Sequence, residues 1–292
     1  MADDWITITS GTLTAAINPL GAELSSLRDA EGRELMTDAD PRWWQGRAPL
    51  LFPVVGKPAG EVIRVDDRTY PMKQHGFARH LPFDVVEQLS DSITFRLVAS
   101  DETRVHYPFD FALDVRFSLA GATLAICVTV ANRGTSDMPA SFGFHPAFAW
   151  PLPYGAPKEA HRITFNRDEP GRLKAIAPDG TIAAAEVDSP LDGRTLHLRD
   201  ELFAHDALVW NPVHSDAVTY GAGAGPGLHI AFPDTPMLGI WTKPGAHYVC
   251  VEPWHGIADP EGYAGELRDK PGIFIVPPAG EKRIALDVTL HP

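Results

Sequence analysis

Cysteine is scarce, with only Cys127 and Cys250 in 292 residues. Each sits in an apolar run (LAICVTV and HYVCVEP), where a thiol behaves as a small core hydrophobe. They are read as structural thiols rather than as a disulfide. A chain of this length buries about three quarters of its unfolded surface, so it needs no covalent or metal staple to fold. No window approaches the roughly 18 to 20 uninterrupted apolar residues of a membrane span. The opening MADDWITITS lacks the basic and apolar regions of a signal peptide, so a cytoplasmic protein with no membrane partner is expected. Basic residues are outnumbered, 25 Lys and Arg against 38 Asp and Glu for a formal charge of −13. That balance argues against nucleic acid as a partner, because phosphate binding needs clustered cations. Sustained helical periodicity is missing as well. The best candidate, Glu31 to Asp40, is short and interrupted by Gly32.

What the chain has is punctuation and alternation. Its 27 prolines and 25 glycines are spread along its length, dividing it into many short elements. Trp5 to Thr9, Asp91 to Ser100, Phe111 to Leu119 and Thr123 to Asn132 alternate apolar with polar residues or cluster β-branched and aromatic ones. The pattern returns at Leu228 to Pro233, Met237 to Lys243, His247 to Pro253, Gly272 to Pro278 and Lys282 to Leu290. Each segment reads as a strand with a buried face. With no internal repeat and no break in composition, the expectation is one mainly β domain over residues 1–292 with a few short helices. Pro151 to Lys158 reads as a loop. The GAGAGPG run Gly221 to Gly227 reads as a hairpin connection, since it lacks the Lys-Ser/Thr ending and following helix of a phosphate loop.

Ionisable groups concentrate among aromatic and Pro-rich residues in three places: KQHGFARH (Lys73 to His80), SFGFHPAF (Ser141 to Phe148) and YVCVEPWHG (Tyr248 to Gly256). Glu252, expected at the end of the strand-like YVCV, stands beside Trp254. Burial there would raise its pKa toward the range of a general base; the plain alternative is a solvated edge-strand glutamate. His145 lies among Phe142, Phe144 and Phe148 and suits proton donation near neutral pH; the alternative is a core histidine. His75 precedes Gly76, whose missing Cβ admits close approach, which fits a polar contact in a cleft or an ordinary turn. The 12 histidines show no HxH or HExxH spacing and the cysteines are not paired, so no metal is expected. GxSxG is absent, which disfavours a serine hydrolase of the α/β class. A glycosidase would need a second carboxylate near Glu252, for which Asp206 and Asp234 are the candidates.

Taken together with NPLGAELSSL (Asn18 to Leu27), WWQGRAPLLFPVVG (Trp43 to Gly56), HDALVW (His205 to Trp210) and LGIWTKP (Leu238 to Pro244), these segments resemble the aldose 1-epimerase family, on its LacX-like branch. The order and spacing of the motifs across nearly the whole chain carry the resemblance. It implies a large antiparallel β-sandwich of the galactose mutarotase-like supersandwich type, with an open cleft for a monosaccharide. It further implies cofactor-independent interconversion of α and β anomers through an open-chain aldehyde. By the same resemblance Glu252 would be the general base at the C1 hydroxyl and His145 the general acid at the ring oxygen. His75, Arg47 and Asp206 would contact the sugar. Trp44, Phe77, Phe144 and Trp254 are candidates for lining the cleft. KQHGFARH departs from the Asn-Gly-His segment of the galactose-active branch, and Lys57, Lys73 and Arg79 keep a hexose 6-phosphate open as substrate. A non-catalytic carbohydrate-binding protein is the further alternative, and the protein would be a monomer or a homodimer.

Overall fold

Alternating segments become antiparallel strands in a computed structural model that describes residues 4–292. One sheet has nine strands in the order Thr195–His197, Arg162–Phe165, Ala217–Gly221, Gly227–Ala231, Glu281–His291, Thr123–Asn132, Phe111–Ala120, Ser92–Val98 and Asp84–Gln88. The second runs Ile182–Asp188, Arg172–Ile176, Leu208–Trp210, Met237–Trp241, Tyr248–His255, Phe142–Phe144 and Leu50–Leu51, with Ala147–Ala149 also paired to Tyr248–His255. A three-stranded sheet of Ile6–Thr9, Leu13–Asn18 and Glu23–Asp29 completes the main framework. All the ladders are antiparallel, as a chain of short connections favours.

The two large sheets pack through their inward side chains. Val115, Phe117, Ile126 and Val128 of the nine-stranded sheet share one apolar cluster with Phe142, Phe148, Val249 and Val251 of the other. Along Tyr248–His255 nearly every residue is buried, although side chains alternate in direction. Val249 and Val251 enter the inter-sheet core, whereas Cys250 and Trp254 belong to two smaller clusters on the opposite face. Both faces of this strand are therefore packed, which is why its burial does not alternate. Among the described residues, no helix is long and apolar enough to cross a membrane.

The weak helical candidate is not taken up, and one local expectation, Glu252 at a strand end, is corrected. Glu31 to Asp40 forms no helix: Asp29 Oδ1 accepts from the Glu31 and Arg33 N–H groups (3.1 and 2.9 Å), closing a turn that diverts the backbone. The α-helix is instead the single turn Asp101–Arg104, capped reciprocally by Ser100 and Thr103. Glu252 stands inside its strand rather than at the end. Gly221 to Gly227 does connect a hairpin, joining Ala217–Gly221 to Gly227–Ala231.

Phe117 is fully buried against Phe95, with ring centroids 6.1 Å apart. Its truncation in Phe117→Ala is expected to cost about 3–5 kcal/mol. Val98→Ala, at a residue 50% exposed, should change stability by no more than about 0.5 kcal/mol. Urea denaturation checks both, with equal losses arguing against this core.

Candidate active site

The register of one strand pair creates the centre of the site. Gly143 pairs with Trp254 and Ala147 with Cys250, and both pairs lie on one continuous antiparallel register. His145 therefore stands directly opposite Glu252. Its Nε2 lies 3.2 Å from Glu252 Oε2, with both side chains buried. Strand alternation points Glu252 away from the inter-sheet core, toward the opposite face.

Glycine on either side clears the space. A Cβ at Gly143 would lie 2.6 Å from the Trp254 ring, and one at Gly239, the other cross-strand neighbour of Glu252, would lie 2.5 Å from it. The indole thus lies flat across both strands as a wall of the cavity.

That cavity has a volume of about 290 Å³. Glu252 and Trp241 come from strands, His145 from the break between Phe142–Phe144 and Ala147–Ala149, Trp44 from the loop before Leu50–Leu51, His75 and Arg79 from the HGFAR segment, and Asp206 from the turn before Leu208–Trp210. Trp44 packs 4.9 Å and Trp241 5.9 Å from the His145 ring, centroid to centroid.

His75 is held by backbone. The Gly56 N–H donates to its Nδ1 (3.1 Å), and the His75 N–H donates to the Gly56 carbonyl (2.9 Å). Nδ1 is therefore an acceptor, so the neutral ring carries its proton on Nε2, which faces the Gln74 side-chain amide (3.3 Å) at the cavity wall. Both His75 and Gly76 have positive φ, +67° and +69°, and a Cβ at Gly76 would lie 2.1 Å from the Phe52 carbonyl oxygen. Glycine is thus required immediately after the histidine for the turn to close.

Burial controls the protonation of the site. It depresses His145 to about 3, aided by the positive charge of Arg79. Burial, the neighbouring His145 and the charges of Arg79 and Lys270 hold His75 well below the usual imidazole range. Burial pushes Glu252 well above the usual carboxylate range, the Asp206 carboxylate adds to this, and Trp254 partly opposes it. The His145–Glu252 pair is consequently a neutral unit sharing one proton, in contact with a cavity that accepts a small polar ligand.

Of the five expected site residues, Glu252, His145, His75 and Asp206 line this cavity. Arg47 does not. Its Nη1 donates to the Thr37 carbonyl (2.7 Å), its guanidinium lies over Trp5 (5.3 Å), and its N–H donates to buried Glu23 (2.8 Å). The arginine that reaches the wall is Arg79, whose Nη2 donates to the Gln74 carbonyl (3.1 Å). Of the expected aromatics, Trp44 and Trp254 line the cavity, Phe144 lies in the core, and Phe77 faces a second cavity along with Lys73. Asp234 is absent from the cavity wall and accepts instead from the Ala285 N–H (3.1 Å). Trp241 was missed, although its alternation with Gly239 on a strand beside Glu252 placed it on the same face.

His145 is expected to stay uncharged well below pH 6.5, its ordinary midpoint. An imidazole NMR titration checks this, and a midpoint near 6.5 would contradict the burial described.

Comparison with known proteins identifies the family. A family model described as aldose 1-epimerase matches residues 4–266. The chromosomal protein LacX of Lactococcus lactis subsp. lactis is 31% identical over 288 residues, covering 95% of this chain and 96% of LacX. The crystal structure of a galactose mutarotase related enzyme from Lactobacillus acidophilus matches with a TM-score of 0.91 at 31% identity, over 99% of this chain and 97% of that one. A galactose mutarotase-like protein from Lactobacillus casei matches with a TM-score of 0.92 at 30% identity, over 98% and 100%. Built on the galactose mutarotase-like all-β sandwich and matched along nearly its whole length, the chain belongs to the aldose 1-epimerase family, on its LacX-like branch.

Proposed function

We propose that this chain, acting as one cytoplasmic domain, is an aldose 1-epimerase that interconverts the α and β anomers of a monosaccharide by acid–base ring opening and closure, without a cofactor. The observation that carries this reading is the His145–Glu252 contact of 3.2 Å at the wall of a 290 Å³ cavity. That volume lies at the small end of the roughly 300–1,000 Å³ range of small-molecule sites, which suits one sugar ring better than the extended substrate of a glycosidase.

The shared proton passes from Glu252 to His145 Nε2, and the carboxylate so formed accepts the proton of the C1 hydroxyl as His145 delivers its own to the ring oxygen. The C1–O bond breaks, C1 turns about its bond to C2, and closure on the other face reverses both transfers. A pair that shares a single proton needs only to redistribute it, so no net charge enters the dry cavity. His75 donates from Nε2 to a sugar oxygen, Asp206 accepts from hydroxyls, and Arg79 supplies the cation expected of Arg47. Trp44 and Trp254 offer apolar faces for the C–H side of the ring.

Freshly dissolved α-D-glucose, α-D-galactose and hexose 6-phosphates, followed by polarimetry or NMR, test the reading. The native protein should speed equilibration, and Glu252→Gln and His145→Asn should each lose about 10²- to 10⁴-fold of that gain. A preference for the phosphorylated sugar would give Arg79 the anion. Binding without equilibration would mark a sugar-binding protein and end the catalytic reading.

The pH profile follows from the shifts. The pair gains a second proton only as pH falls toward the depressed His145 value of about 3, and loses its single proton as pH rises through the raised Glu252 value. Activity should show no acid limb near pH 6.5, the ordinary imidazole value. Steady-state kinetics across pH provides the check.

A further inference from the structure

The strand that presents Glu252 also brings Cys250 to the same face, two residues earlier, next to the catalytic pair. One donor atom from each of His145, Cys250 and Glu252 lies within 4.8 Å of the other two, and all three residues are buried. Nitrogen, sulfur and oxygen donors so grouped match the preferences of zinc, whose open sites combine three protein ligands with one free position. His145 and Glu252 form part of the cavity wall and Cys250 is buried beside them, so the cluster borders the cavity.

Geometry and charge both fit. Around a tetrahedral zinc with bonds of about 2.0–2.3 Å, donor atoms stand roughly 3.5 Å apart. The His145–Glu252 separation of 3.2 Å is already close to this, and the sulfur, within 4.8 Å of both other donors, needs to close in by no more than about 1.3 Å. One thiolate and one carboxylate cancel the charge of a divalent ion, so a neutral complex replaces a neutral pair in a low-dielectric setting. His145 Nδ1 is buried with no hydrogen-bond partner among the described residues. Strong zinc sites anchor that second nitrogen, so this arrangement favours reversible binding over a resident metal.

We propose that His145, Cys250 and Glu252 form a reversible, inhibitory site for a thiophilic divalent cation of the Zn²⁺ class, which excludes sugar chemistry by occupying the proton-transfer pair. Coordination releases the Cys250 thiol proton and the proton shared by the pair to solvent, with no change of oxidation state. Hard ions such as Mg²⁺, which prefer all-oxygen sites, do not compete.

The test uses the purified full chain freed of metal. Titration with Co²⁺ should produce a near-ultraviolet thiolate-to-metal charge-transfer band that saturates at one equivalent and is displaced by Zn²⁺. Cys250→Ala and Cys250→Ser, checked for folding by circular dichroism, should lose the band. Both should bind Zn²⁺ at least 10- to 100-fold more weakly, as even the loss of an outer-shell partner does in zinc sites. Zn²⁺, and not Mg²⁺, should slow sugar equilibration by the parent, while Cys250→Ala keeps its metal-free rate and resists Zn²⁺. A parent without the band, equal Zn²⁺ affinity in a folded Cys250 variant, or equal inhibition by Mg²⁺ would overturn the proposal. The spectroscopic readout stands whether or not the protein turns over sugar.

Discussion

One antiparallel register underlies the site. With Gly143 against Trp254 and Ala147 against Cys250, His145 has no other place than opposite Glu252, and a slip of one residue would send the imidazole into the inter-sheet core. The ladder is interrupted at His145 and Pro146, yet the Val251 N–H still donates to the Pro146 carbonyl (3.2 Å) and keeps the segment in line. The dyad is therefore built into the sheet, which holds its geometry more tightly than mobile loops would.

Burying two titratable groups together would be costly if both were charged, and this constraint explains the electrostatics of the cavity. A carboxyl pushed upward and an imidazole pushed downward settle into a neutral pair. Asp206 and Arg79, from two different loops, act on it in opposite senses: the aspartate raises the Glu252 pKa and the arginine lowers that of His145. The same buried face brings the Cys250 thiol close to the pair.

The loop that carries His75 depends on a chain of contacts that begins at the cavity wall and leads into the protein. Gly56 bonds both the ring and the backbone of His75. The Gly56 loop is tied down in turn by Asp259, which accepts from the Ala59 N–H (2.9 Å), donates its own N–H to the Lys57 carbonyl (3.0 Å) and pairs with buried Lys270 (2.8 Å). A buried ion pair of this kind contributes little net stability against an apolar replacement, but losing one partner leaves an uncompensated charge. Asp259, oriented by Lys270, thereby ties the Gly56 loop to the connection that follows Tyr248–His255.

Composition and alternation by themselves determined the all-β class, nine of the 24 strands among the described residues, the hairpin at Gly221 to Gly227 and the three ionisable motifs, because strand period and turn chemistry are local properties. Glu252, His145, His75 and Asp206 could be singled out by residue type, surroundings and family resemblance. Only the tertiary structure decided that Arg79 rather than Arg47 reaches the cavity, that Trp241 joins its wall, and that Cys250 lies among the donors. Which side chain faces a cavity depends on register between segments about a hundred residues apart, and on where each long side chain finds its hydrogen bonds. Arg47 found Thr37, a choice set by the packing of the Asp38 loop and invisible in the pattern around it. The turn at Glu31 to Asp40 failed as a helix for a similar reason, since the carboxylate of Asp29 offered the backbone a competing set of bonds.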